Sequence, residues 1–181
     1  MLRRASVLLA ILSLCALPAC RPPRPVGTSL GQYEVHGDLM ESTCGQGYPA
    51  TDLWFFVELR HEPGGIGYWK PPMGSMIQGM LEPQVDFHFS DQRQIVAIEP
   101  DEINGVIGCA LTREETVDGE FGGEAPDAGV ALGDGHFDAA DIIRVRPASG
   151  DCSALFVVNG GPFDALPCQL DYAMIGERVE D

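Results

Sequence analysis

The sequence predicts an all-β fold: a single antiparallel β-barrel or β-sandwich of roughly eight to ten strands, tied by disulfides. Three observations carry that expectation. Apolar and polar residues alternate with a period of two over much of the chain, the pattern of strands with one wet face. Turn signals separate these stretches at short intervals, and no stretch sustains a helical period.

In chain order, Tyr33, Val35, Gly37 and Leu39 share one face, with Glu34, His36 and Asp38 on the other. Leu53, Phe55, Val57 and Leu59 share a face, as do Val85, Phe87 and Phe89, whose opposite neighbours are Asp86, His88 and Ser90. Leu170, Tyr172 and Met174 repeat the pattern. The runs Ile95 to Ile98 and Ala154 to Val158 are apolar throughout and suit strands covered on both faces. Turns are expected at Pro63-Gly64-Gly65, Pro71-Pro72, Ser90-Asp91-Gln92, Asn104-Gly105, Val117-Asp118-Gly119 and Asn159 to Pro162. Ala139 to Ile143 offers at most a single helical turn.

The chain opens on a basic Met1-Leu2-Arg3-Arg4, followed by an uncharged apolar stretch from Ser6 to Leu17. That stretch is shorter than the roughly 20 residues of a transmembrane helix and matches the core of a secretory signal. Leu17-Pro18-Ala19-Cys20 resembles the lipobox of bacterial lipoproteins: an aliphatic residue, a loosely restricted one, a small one, then cysteine. The resemblance implies removal of residues 1–19 and a lipid chain on Cys20, whose insertion makes the bilayer this protein's partner. Arg21, where aspartate would signal retention at the inner membrane, implies an outer-membrane destination in the cell envelope of a bacterium. Residues 20–30 then hold the lipidated cysteine and a proline-rich tether, since Arg21 to Val26 carries too many prolines for helix. Residues 31–181 form the all-β domain.

Loss of residues 1–19 removes two arginines and no acid, so 11 basic residues become 9 against 27 acidic ones and the formal charge moves from −16 to −18. Nucleic acid and anionic lipid surfaces call for clustered Lys and Arg, so such partners are excluded. Beyond the lipidated Cys20 the exported domain keeps four cysteines, Cys44, Cys109, Cys152 and Cys168, an even number that reads as two disulfides in an oxidising compartment. Cys152 to Gly160 and Cys168 to Gly176 share the pattern C-x3-aromatic-x3-G and suggest a hairpin. In a hairpin those two cysteines lie roughly 20 Å apart, beyond the reach of a disulfide. Cys44, just past the first strand, instead meets Cys168 if the first and last strands are antiparallel neighbours, which leaves Cys109 with Cys152.

Several motifs invite a functional reading. Gly27-Thr28-Ser29-Leu30-Gly31 fits the nucleophile elbow G-x-S-x-G but lacks the strand before it and the helix after it, and is a chance match. From Glu114 to Asp141 nine acids occur without a Lys or Arg. Within them, Gly133 to Arg144 resembles the second half of a dockerin-type or EF-hand calcium loop, with Asp134, Asp138 and Asp141 as the side chains for a cation. Half the ligand positions lack oxygen, so a water-facing acidic hairpin is the simpler expectation and no cofactor is required. Trp54, Tyr68 and Trp69 offer a possible binding surface for a protein or glycan, with burial in the core as the plainer alternative. No serine or cysteine has an identifiable base, and the chain is not expected to be an enzyme. The resulting expectation is a membrane-anchored envelope lipoprotein with a structural or binding role. The alternatives are a small-ligand or glycan-binding barrel or sandwich, and a hydrolase using carboxylates of the acidic segment.

Overall fold

The computed structural model describes residues 26–45, 48, 51–72, 74–82, 85–122 and 135–179. The signal segment, Cys20, the tether up to residue 25 and Asp134 lie outside them. Eight strands follow one another: β1 (Thr28–Ser42), β2 (Leu53–Glu62), β3 (Ile66–Lys70), β4 (Ile77–Glu82), β5 (Asp86–Ile98), β6 (Cys109–Phe121), β7 (His136–Gly150) and β8 (Cys168–Arg178). Each pairs antiparallel with the next, and β8 returns to pair with β1, closing a barrel. Closure gives every strand a neighbour on both sides, although β5 outruns its neighbour β4. β1 begins at Thr28, so pairing starts inside the stretch assigned to the tether.

The inward rows are those the alternation marks: Tyr33, Val35 and Gly37 on β1, Val57 and Leu59 on β2, Phe87 and Phe89 on β5, Leu170, Tyr172 and Met174 on β8. An eight-stranded barrel is just wide enough for side chains to fill. Here aromatic rings fill one half. Trp69, Phe87, Phe89, Phe121, Phe137 and Tyr33 meet at centroid separations of 5.2 to 6.4 Å, most of them tilted or edge-on. Two of these rings face a glycine across the ladder. Phe87 is paired with Gly119 and Phe137 with Gly176, and a methyl group at either glycine would collide with the facing ring. Large-against-small matching of this kind fits side chains into a closed interior.

Four expectations from the sequence fail, each for a local reason. Ile95 to Ile98 is not covered on both faces, because β4 contributes only six residues and its pairing with β5 stops at Phe89. The rest of β5 pairs with β6 alone, and Ile95 and Val96 are exposed. Ala154 to Val158 is not a strand but parts of two short 3-10 turns, Ser153–Leu155 and Val157–Asn159, with Val158 89% exposed. The first turn is started by Asp151, whose carboxylate accepts the Ser153 amide, and the second is ended by Gly160 in the left-handed region. Ser90 to Gln92 and Val117 to Gly119 are strand interior rather than turns, since Gly119 serves the ring of Phe87. Ala139 to Ile143 is strand throughout.

Both expected disulfides are present, Cys44–Cys168 with Cα atoms 4.8 Å apart and Cys109–Cys152 with 5.0 Å. The first forms because β1 and β8 are antiparallel neighbours. The hairpin supposed for Cys152 to Gly176 does not exist, so that part of the expectation reached the pairing by a false premise. Both bridges tie loops at one end of the barrel, where β1, β3, β5 and β7 finish. β1 starts at the other end.

Candidate functional site

Aromatic rings pack one half of the interior. The half toward the disulfide-tied end is hollow. A cavity of about 240 Å³ opens there, walled by Leu53 and Phe55 from β2, Trp69 from β3, Pro71, Gly74 and Ser75 with Ile77, and Met174 from β8. The polar remainder of its lining comes from three strands: Asp91 and Arg93 on β5, Arg113 and Glu115 on β6, and Asp141 on β7.

Register explains how five charged groups come to line this mouth. Alternation carries Phe87 and Phe89 on to Asp91 and Arg93 in the same inward row, and Val117 back to Glu115 and Arg113. Across β5 and β6, Asp91 faces Glu115 and Arg93 faces Arg113. Like charges directly opposite repel, while unlike charges meet diagonally and along each strand. The Arg113 guanidinium donates to the Glu115 carboxylate, and both side chains are largely buried. Among the described residues no ion pair joins Asp91, Arg93 or Asp141.

Asp141 lies deepest. It is flanked by Val117 on β6 and Tyr172 on β8, one row further in than Glu115. It is 4% exposed, and among the described residues its Oδ1 has no hydrogen-bond partner. Burial, reinforced by the Glu115 carboxylate and opposed by the Arg113 guanidinium, pushes the Asp141 carboxyl up to about 7. Burial and then the Asp141 carboxylate also raise the neighbouring Tyr172 hydroxyl. A buried polar atom left unpaired costs about 1–3 kcal/mol, so such atoms are uncommon and call for an explanation.

Other residues singled out in the sequence fall elsewhere. Asp138 is exposed on the outer face of β7, whereas Asp141 points inward from the same strand. Side chains on opposite faces of one strand cannot close on one ion, and the segment from His136 on is strand, so a calcium loop through Asp138 and Asp141 is not formed. Asp134, its third member, lies outside the described residues. Trp54, Tyr68 and Trp69 do not share a surface. Trp69 is buried in the interior, and Tyr68 is buried with its hydroxyl donating to Glu62. Trp54 alone is exposed, its indole N–H donating to Glu34 Oε1 at 2.6 Å. His36 approaches the same Glu34 oxygen, and His88 pairs with Asp118, both on the outer face.

Sequence reasoning missed Asp91, Arg93 and Arg113, singled out Glu115 only as one acid of the acidic segment, and offered Asp141 as a calcium ligand or an acid facing water. The signal was present: each occupies an inward position of a period-two row bounded by apolar residues, as in Phe137, Ala139, Asp141, Ile143 and Val145. The fold and cavity together define a small closed antiparallel barrel, hollow at one mouth. No protein-family model, curated protein or solved structure matches the chain.

Proposed function

We propose that this chain is an exported, lipid-anchored barrel of the bacterial envelope that binds a small ligand in its disulfide-tied mouth and catalyses no reaction. The observation that carries the binding reading is an open cavity lined by Asp141, a residue 4% exposed whose Oδ1 has no hydrogen-bond partner among the described residues. A structural barrel gains nothing from an orphan acceptor there; a ligand that donates to it removes the penalty.

The lipobox supports the anchor, and two disulfides support an oxidising compartment. Several acyl chains on Cys20 would hold the chain stably where one is marginal. Arg21 favours the outer membrane. β1 starts at the end opposite the cavity, so the chain enters the barrel away from the mouth. The test of the anchor is mass spectrometry of the native protein beside Cys20→Ser. Acyl mass on the parent alone supports it, and an unmodified parent ends it. Binding is tested by amide shift perturbation with a library of small molecules. Shifts clustered on Phe55, Trp69, Asp91, Arg113 and Asp141 support the mouth; shifts confined to the outer face, or none, remove it.

One observation favours a second reading, a hydrolase. Two carboxylates from the acidic segment meet in one cleft in unlike settings, Asp141 holding its proton to near neutrality and Glu115 paired with Arg113. Divergent settings are how acid and base roles are divided. Turnover of chromogenic esters or glycosides, lost in Glu115→Gln, would establish it.

A further inference from the structure

The mouth also indicates what kind of molecule it takes, on the reading that it is a binding site. We propose that the ligand is a small organic cation, an amine or amidinium whose N–H groups donate to Asp141 while its apolar body lies against Phe55 and Trp69.

Size sets the first limit. The cavity of about 240 Å³ has room for a fragment of modest size, and a longer ligand would have to extend out of the mouth. Charge sets the second. Three acids, Asp91, Glu115 and Asp141, face the cavity against two arginines, Arg93 and Arg113, so with Asp141 ionised the lining carries one net negative charge. Arg113 is already engaged by Glu115, and Arg93 stands exposed on β5. An anion would meet only that rim arginine before reaching Glu115 and Asp141, which repel it. A cation finds at the deepest point a carboxylate oxygen that no other described residue binds.

The walls set the third limit. Phe55 and Trp69 meet edge-on at 6.1 Å, and an aromatic face attracts a desolvated cation as well as covering apolar surface. A bare metal ion is disfavoured: among the described residues no three His, Cys, Asp or Glu side chains are grouped to hold one.

Binding of this kind is linked to pH. The titratable and charged groups facing Asp141 are Asp91 and Arg93 from β5, Arg113 and Glu115 from β6, and Tyr172 from β8. Its own carboxyl titrates near 7 in the free protein, so a cation must displace a proton at lower pH and finds the site ready at higher pH.

The test uses the full chain in detergent micelles carrying Trp54→Phe, which leaves Trp69 as the sole tryptophan of the two and its emission as a reporter inside the cavity. The probes are benzylammonium, benzyl alcohol and benzoate, matched in shape and differing in charge. Benzylammonium is expected to bind at least about tenfold tighter than either of the others, and to weaken about tenfold between roughly pH 8 and pH 6. Asp141→Asn is expected to abolish both the preference and the pH dependence. The pH profile needs no further substitution, so it decides the matter even if that variant misfolds. Equal or better binding of benzyl alcohol or benzoate, or a flat profile, overturns the cation while the mouth stands as a binding site. Failure of all three probes to change Trp69 emission at millimolar concentration overturns both.

Discussion

Asp141→Asn should change stability in a way that depends on pH. Burial and Glu115 move the Asp141 carboxyl from its ordinary 3.8 to about 7 in the folded protein. Below about pH 4 the folded and unfolded chains both carry the proton, and Asp141 imposes no penalty of ionisation. As pH rises from about 4 to 7 the unfolded chain loses that proton and the folded one keeps it, so stability falls. Above about 7 the loss is complete. At about 1.4 kcal/mol for each pH unit between the two values, the total is about 4 kcal/mol. That figure is an upper bound, since a carboxylate able to draw water into the cavity loses less. Asparagine does not titrate, and its unpaired amide costs about 1–3 kcal/mol at every pH. The gap between variant and parent should therefore move in the variant's favour by up to about 4 kcal/mol from pH 4 to pH 8. Urea unfolding with disulfides intact, followed by tryptophan emission across that range, measures it. Parallel stability curves for the two proteins would refute the buried, unpartnered carboxylate.

Three further outcomes are expected. Replacing Cys44 and Cys168 by serine opens a crosslink spanning 124 residues, and replacing Cys109 and Cys152 opens one spanning 43; in the chain-entropy limit the losses are about 5 and about 4 kcal/mol, so chemical denaturation should rank the first pair as the more damaging. Gly176→Ala should cost about 1–3 kcal/mol by forcing a methyl against the Phe137 ring, and pairing it with Phe137→Leu should recover part of that loss in a thermal melt. Calcium should leave the melting midpoint where chelator leaves it, because Asp138 and Asp141 face opposite sides of β7; a shift of several degrees would point to a site beyond the described residues.

The barrel's wall was legible where one face is apolar and the other polar. Tyr33 to Leu39 and Leu170 to Met174 declare their inward rows because the alternation is unbroken. Apolar runs misled. Ile95 to Ile98 and Ala154 to Val158 look alike in sequence, yet one is a strand extending past its short neighbour β4 and the other a pair of 3-10 turns. Nothing local to either run encodes the length of a partner or the pull of the Cys109–Cys152 bridge. The site was hidden for a different reason. Asp91 sits in a Ser-Asp-Gln triplet that mimics a turn, and Asp141 lies in an acidic stretch that mimics a wet surface. Only the register across β5, β6 and β7 turns those charges toward a common interior.

The most direct single measurement is the NMR titration of the Asp141 side-chain carboxyl, first alone and then with saturating benzylammonium. The free protein should titrate near neutrality, and the bound one well below it, as the ammonium takes the place of the proton. A midpoint in the ordinary carboxylate range near 4, unmoved by the ligand, would mean that Asp141 is wet or already satisfied, and that the mouth of this barrel is not built around it.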